Sequence, residues 1–202
     1  GLLEVEARDL NAPYVKRLAT GRPWVIAKWA MTLDGRIATH SGSSQWISGE
    51  ASRDIVHQLR GRVDAVIVGR GTVEADDPML TSRLRSGEPQ RVAARVVFDS
   101  RASLSLKSKL VSSVDQAAVL IVTGPDAPDE HVARLESAGC QVLKCESGDP
   151  PAQVRFALDE LGRRNMTNVL VEGGAGLLGS FFDAGEIDEV HAFIAPKLIG
   201  GS

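Results

Sequence analysis

The apolar residues of this chain fall into short continuous runs, and the segments between the runs carry apolar residues at helical spacing. Continuous apolar runs bounded by turn residues are typical of strands that are buried on both faces of a sheet. The pattern predicts strands at residues 24–29, 65–68, 95–98, 119–122, 141–144, 168–171 and 190–194.

Helices are predicted between these strands. The first has Ser48 as its N-cap and apolar side chains at Ile55, Val56, Leu59 and Val63, and serine is a favoured N-cap residue. Further helices are predicted at residues 72–75, from Pro128 to the stop at Gly139, at 151–164 and at 177–184. Because strands and helices alternate, the pattern indicates an α/β domain with a mostly parallel sheet.

Two segments carry no such pattern. Residues 1–20 are mixed, without a sustained period, and are interpreted as a linker or an arm. Residues 79–91 are polar and irregular, which predicts a surface loop.

Composition narrows the class of protein but does not name an activity. The chain has 202 residues, 43% of them hydrophobic, which is typical of one domain with or without a tail. Its net charge of −3 argues against a nucleic-acid partner, which would need a basic face. No apolar run approaches the roughly 20 residues that span a bilayer. Two cysteines are too few for a disulfide framework, so we expect a cytoplasmic protein.

Two predicted strands end in glycine-rich turns. Gly69 and Gly71 follow the second strand, and Gly174, Gly176 and Gly179 follow the sixth in a G-x-G-x-x-G spacing. Such turns let a ligand approach the backbone, and the helix that follows offers free N–H groups to an anion. The turns are therefore read either as a phosphate cradle or as tight packing between strand and helix.

Four charged residues are candidates for a site, each with a plainer alternative. Lys28 lies within a predicted strand and points either to solvent or into a site, and Glu172 ends a wholly apolar strand. A buried charge needs a partner, and a Lys–Glu pair, functional or structural, is one arrangement open to these two residues. Asp76 can simply cap a turn, and Arg60 suits the C-terminal end of a helix dipole. The four histidines have no metal-ligand spacing and are assigned no catalytic role.

A series of motifs in fixed order is more specific than any one of these features. The series is KWAMTLDGR at 28–36, SQWI at 44–47, Arg60, GT at 71–72, DDPMLTSR at 76–83, DS at 99–100, EGG at 172–174 and APKLIG at 195–200. Over residues 15–202 the chain resembles the reductase domain of the riboflavin-pathway pyrimidine deaminase/reductases. The resemblance implies a dihydrofolate-reductase-like fold, with a mostly parallel central sheet flanked by helices on both faces.

The same resemblance implies NADPH-dependent reduction of 5-amino-6-(5-phosphoribosylamino)uracil to its ribitylamino product. Carried over by position, the residues that line the cofactor are Ala30, Trp46, Thr72, Asp76, Ser100, Gly174, Ala175, Gly176, Leu177, Leu178, Gly179 and Ser180. Those that contact the substrate are Ser44, Arg60, Leu80, Arg83 and Glu172. We expect Arg60 and Arg83 to hold the substrate phosphate, and Lys28, Glu172 and Asp76 to be the catalytic residues. No metal is expected.

The resemblance also bears on the ends of the chain and on its assembly. Residues 1–20 correspond to a connector that follows a deaminase domain, and residues 21–202 to a reductase domain that we expect to be truncated at its C-terminus. A homodimer is expected, with no membrane partner. Two alternatives remain open at this point: a reductase of the same fold for another heterocycle, and a non-catalytic nucleotide-binding module.

Overall fold

A single sheet organises the domain. The computed structural model describes residues 1–37, 49–84 and 91–200, and the strands of this part are β1 (Trp24–Thr32), β2 (Ala65–Gly69), β3 (Ala94–Phe98), β4 (Val119–Thr123), β5 (Gln141–Lys144), β6 (Asn168–Glu172) and β7 (Glu189–Ala195). They form one seven-stranded sheet in the order β5-β4-β3-β2-β6-β1-β7. Each neighbouring pair is parallel, so the carboxyl ends of all seven strands lie at one edge.

Helices cover both faces of this sheet. Those in the described residues are α1 (Glu4–Leu10), α2 (Ala12–Thr20), α3 (Glu50–Arg60), α4 (Arg70–Asp76), α5 (Lys109–Ser112), α6 (Asp129–Ser137), α7 (Pro150–Arg163) and α8 (Ala175–Asp183). Apolar residues of α3, α4, α5 and α6 pack in one core cluster, and those of α7 and α8 pack in another.

The alternation of side chains along each strand explains the two clusters. In β2, Val66 and Val68 belong to the first cluster, whereas Ala65 and Ile67 belong to the second. Successive side chains of a strand point to opposite faces, so a strand covered on both sides must be apolar at every position. This is why the continuous apolar runs predicted the strands correctly.

The predicted α/β architecture is confirmed, with differences in detail. Every predicted strand is present, and α5 was not predicted. Helix α3 begins at Glu50 with Gly49 as its N-cap, so the prediction of Ser48 in that role is wrong. Pro128 is the N-cap of α6 rather than its first residue. The described part of the predicted loop, 79–84 and 91, has no helix or strand.

The N-terminal segment is helical, which its sequence did not indicate. Neither α1 nor α2 has a buried residue. Helix α2 is attached through polar contacts, because Lys16 Nζ lies 2.5 Å from a carboxylate oxygen of Asp188 and Arg17 donates to the side chain of Asn165. The role of residues 1–20 as a connector stays a prediction. No helix in the described part of the chain is both long and apolar enough to cross a lipid bilayer.

Candidate active site

The two glycine-rich turns lie at the carboxyl edge of the sheet. β2 passes into α4 through Gly69, and β6 passes into α8 through Gly173 and Gly174. Gly174 caps α8 with extended backbone and without a side-chain hydrogen bond, so the first N–H groups of that helix have no intrahelical acceptor. A Cβ added at Gly174 or Gly176 would meet no atom within 4 Å. The backbone of this turn therefore borders open space.

That space is a cleft with a volume of about 980 Å³. Its walls in the described residues come from β1, α3, α4, the segment 77–84 and the β6–α8 turn. Ligands of open α/β sheets bind outside the carboxyl ends of the strands, and this cleft occupies that position. Among the residues described, no group of three His, Cys, Asp or Glu side chains is placed to hold a metal ion.

An ion pair between Arg60 and Glu172 lies in the cleft wall. Nε and Nη2 of Arg60 donate to the two carboxylate oxygens of Glu172 at 2.6 and 2.8 Å. The side chains are only 14% and 12% exposed. Burial opposes the charge on Arg60, but the carboxylate outweighs burial and raises the pKa of the guanidinium above its usual value. The ion pair thus keeps the Arg60 guanidinium charged in a partly dry place.

Lys28 is the neighbour of this pair rather than a member of it. It lies beside Glu172 in the register of β1 and β6, yet its ammonium is over the ring of Phe193, 5.5 Å from the centroid. Burial lowers the pKa of Lys28 below its usual 10.5, Glu172 opposes this effect and Arg60 adds to it. Of the partners open to Glu172 the structure selects Arg60 rather than Lys28, and Arg60 occupies both oxygens of the carboxylate. Three charged groups still share one wall of the cleft.

Leu80 belongs to the irregular segment 77–84 and lines the cleft. Its φ is +56°, in the left-handed region that a leucine seldom adopts. The side chain is only 3% exposed and belongs to the first core cluster. Packing in the core therefore holds the backbone of the 77–84 segment in a conformation that would cost free energy elsewhere.

The structure brings most of the predicted site residues together. Eleven of them line the cleft, namely Lys28, Ala30, Arg60, Thr72, Asp76, Leu80, Arg83, Glu172, Gly174, Gly176 and Leu177. Ala175, Leu178, Gly179 and Ser180 belong to α8 behind the turn, and Ser100 is exposed at the turn after β3; none of these five lines the cleft. Ser44 and Trp46 lie outside the described residues.

Sequence reasoning passed over His57, which also lines the cleft. It lies three residues before Arg60 on α3, and residues at that spacing share one face of a helix. That spacing was the available signal. The pairing of Arg60 with Glu172 had no such signal, because 112 residues separate the two.

The parallel sheet, its helices on both faces and the cleft at its carboxyl edge define an α/β domain of the dihydrofolate-reductase-like class. Residues 23–202 match the RibD C-terminal domain family, and the chain belongs to that family.

Individual proteins agree with this assignment. The chain is 37% identical over 201 residues to the riboflavin biosynthesis protein RibD of Actinobacillus pleuropneumoniae, covering 100% of this chain and 52% of that protein. The Acinetobacter baumannii RibD structure matches with a TM-score of 0.81 and 33% identity, over 97% of this chain and 52% of that one.

A third match carries a more explicit name. The Thermotoga maritima structure described as a diaminohydroxyphosphoribosylaminopyrimidine deaminase/5-amino-6-(5-phosphoribosylamino)uracil reductase has a TM-score of 0.78 and 34% identity, over 100% of this chain and 52% of that one. The chain thus spans about half the length of the relatives it matches.

Proposed function

We propose that this chain catalyses the NADPH-dependent reduction of 5-amino-6-(5-phosphoribosylamino)uracil to 5-amino-6-(5-phosphoribitylamino)uracil. The observation that carries the proposal is the cleft, in which Lys28, Arg60 and Glu172 lie next to the open glycine turn between β6 and α8. The turn suits a dinucleotide phosphate, and the charged wall suits a phosphorylated, hydroxyl-rich substrate. The name of the Thermotoga maritima relative agrees with this substrate.

The donor set of the turn fits a nicotinamide dinucleotide. Open space at Gly174 and Gly176 leaves room for a diphosphate against the backbone, and the N-terminal N–H groups of α8 favour negative charge. Thr72 and Asp76 of α4 line the same cleft and would hold the rest of the cofactor. The bound cofactor would supply a hydride to C1′ of the sugar.

Arg60 and Arg83 supply the positive charge for the substrate phosphate. The ion pair with Glu172 uses Nε and Nη2 of Arg60, so the N–H groups of Nη1 lie outside that pair. Arg83 lines the cleft from the 77–84 segment. Hydrogen bonds from guanidinium groups to a phosphate are shorter and stronger than neutral ones, so two arginines orient the substrate as well as bind it.

Lys28 and Glu172 act at the sugar. When the sugar is in its open, imine-like form, reduction at C1′ also requires a proton. The lowered pKa of Lys28 makes its ammonium a better proton donor than an ordinary lysine. Glu172 keeps lone pairs on both oxygens beyond those used by Arg60, and these accept from sugar hydroxyls. Asp76 is the third catalytic candidate, at the cofactor side of the cleft.

The reaction is tested by following the nicotinamide absorbance band on mixing the chain with NADPH and the ribosylamino substrate. Oxidation of NADPH is expected, and NADH in its place measures the preference between the two. Binding of NADPH without oxidation would instead support a non-catalytic nucleotide-binding module. Oxidation with an unphosphorylated heterocycle only would support a reductase for another substrate.

The role of Arg83 gives a sharper test of the substrate. Loss of a charged hydrogen bond costs about 1.5–3 kcal/mol, so Arg83→Ala should lower kcat/KM roughly 10- to 150-fold. With the dephosphorylated substrate the same change should have little effect. Arg62→Ala is the matched control, because Arg62 is exposed and does not line the cleft. An equal loss with both substrates would remove the phosphate from the proposal.

We also propose that the protein acts in the cytoplasm as a homodimer. Strand β7 lies at one edge of the sheet, and its Val190 and Ile194 are 52% and 58% exposed. An apolar edge of this kind favours association, which supports the dimer without identifying its interface.

A further inference from the structure

His57 joins helix α3 to the segment that carries Arg83. The Ser82 hydroxyl donates to the backbone carbonyl of His57 at 2.7 Å. The backbone N–H of Arg83 donates to Nδ1 of the His57 ring at 3.2 Å. These contacts span 25 and 26 residues of sequence, so they are tertiary bonds that fix the path of the 77–84 segment against α3.

This joint lies where the substrate phosphate is proposed to bind. His57 and Arg83 both line the cleft, as does Arg60 one turn further along α3. Helix α3 therefore carries Arg60 itself and holds the backbone of Arg83 through the ring of His57. Leu80 holds the middle of the 77–84 segment in the core, and the His57 bonds fix the residues that follow at Ser82 and Arg83.

We propose that His57 is a positioning residue, which holds Arg83 toward the substrate phosphate by accepting the Arg83 backbone N–H at an unprotonated Nδ1. The inference rests on the proposed function, because the phosphate is the ligand that Arg83 would meet. His57 itself touches neither the phosphate nor the reacting carbon in this role.

The surroundings of His57 favour the neutral ring that the bond requires. Burial lowers the pKa of His57 below its usual 6.5, and Arg60 and Arg83 lower it further. The Thr81 backbone and Glu172 oppose these effects without reversing them. Arg53 lines the cleft from the same helix. At pH 7 Nδ1 is therefore an acceptor. Only in acid does Nδ1 become protonated, and it then cannot accept the Arg83 N–H.

Two variants of equal size separate the acceptor from the bulk of the ring. His57→Asn places an uncharged oxygen close to the position of Nδ1, whereas His57→Leu has no acceptor. Loss of one neutral hydrogen bond corresponds to about a two- to tenfold change in an equilibrium constant. His57→Leu should raise KM by that factor and leave kcat within about twofold of the wild type, and His57→Asn should restore KM.

The pH profile gives a second readout. In the wild type, KM should rise as the pH falls below about 6.5. The His57→Asn variant should keep only the pH dependence of KM that comes from titration of the substrate phosphate. If KM instead falls in acid in the wild type but not in His57→Asn, the protonated ring binds the phosphate as a cation. That result would overturn the positioning role.

Binding of ribose 5-phosphate to the chain without cofactor makes the test independent of turnover. His57→Leu should weaken its Kd by the same two- to tenfold factor, and the Arg83 amide should exchange its hydrogen faster. Equal Kd values for the wild type and both variants would overturn the inference, as would an Asn variant as weak as the Leu variant. A chain that binds ribose 5-phosphate in the expected order but oxidises no NADPH would refute the proposed function alone. Should His57→Leu fail to fold, the pH dependence of KM in His57→Asn and in the wild type still decides whether His57 has the positioning role.

Discussion

The part-buried ion pair of Arg60 and Glu172 provides a direct test of stability. The proposed perturbation is Glu172→Gln, which keeps the volume of the side chain and one oxygen acceptor but removes the charge and replaces the second acceptor of Arg60 with an amide NH2 group. The guanidinium of Arg60 would stay 14% exposed, now without a counter-charge and with the Lys28 ammonium still nearby.

The size of the effect follows from the geometry. Bonds of 2.6 and 2.8 Å place the two charge centres about 4 Å apart, where the Coulomb energy is about 4 kcal/mol at an effective dielectric constant of 20. Removing one partner of a buried pair costs about 3–5 kcal/mol in other proteins. We therefore expect the free energy of unfolding to fall by about 3–5 kcal/mol. For a domain of this size that lowers Tm by roughly 2–4 °C per kcal/mol.

The assay is urea unfolding at pH 7 with thermal melting beside it. Glu74→Gln is the matched control, since Arg70 donates to Glu74 at 2.6 Å but the two side chains are 46% and 52% exposed. An exposed pair contributes about 0.3–0.5 kcal/mol. Adding Arg60→Met to Glu172→Gln should regain part of the loss, because the guanidinium is then no longer left without a counter-charge, whereas Lys28 still lacks the Glu172 carboxylate. If Glu172→Gln costs no more than Glu74→Gln, burial does not strengthen this pair and the reasoning fails.

Two further predictions concern other parts of the fold. Gly162→Ala should lower the free energy of unfolding by about 1–3 kcal/mol, because the new Cβ would overlap the carbonyl oxygen of Gly21. Gly179→Ala is the control and should be neutral or stabilising in the same melting assay, because its Cβ would lie in open space. Equal effects of the two changes would contradict the close contact at Gly162. Asp34 accepts hydrogen bonds from Thr32, Gly200 and Ile199, which lower its pKa to about 2 from 3.8. The contribution of the Asp34 charge to the free energy of unfolding is therefore complete above about pH 4 and is lost as the pH falls toward 2. The difference in Tm between wild type and Asp34→Asn should shrink over that range, and a constant difference would show that the Asp34 charge is not the cause.

The sequence determined the layered architecture because parallel strands covered on both faces must be apolar at every position. Runs such as 65–68 and 119–122 therefore became β2 and β4 at nearly the predicted bounds. It also predicted the turns after β2 and β6 from their glycines, and both turns line the cleft. The ordered motifs added the family, to which residues 23–202 belong.

The N-terminal helices were not predicted, and neither of them contributes a buried residue to the core. Residues 1–20 form helices whose anchoring is polar, through contacts such as Lys16 with Asp188, and polar contacts leave no period in the sequence. Arg95 was predicted within a strand, but nothing indicated that its side chain would be fully buried and bonded to Ser113.

Tertiary structure alone decided which charges meet. Sequence reasoning predicted Lys28, Arg60 and Glu172 as site residues and considered Lys28 as the partner of Glu172, without a signal for Arg60 in that role. The carboxylate instead takes the guanidinium, whose two donors match its two oxygens at 2.6 and 2.8 Å. His57 and Arg83 came together in the same way, across 26 residues. Pairings of this kind depend on distance and direction between separate elements, which local sequence patterns do not carry.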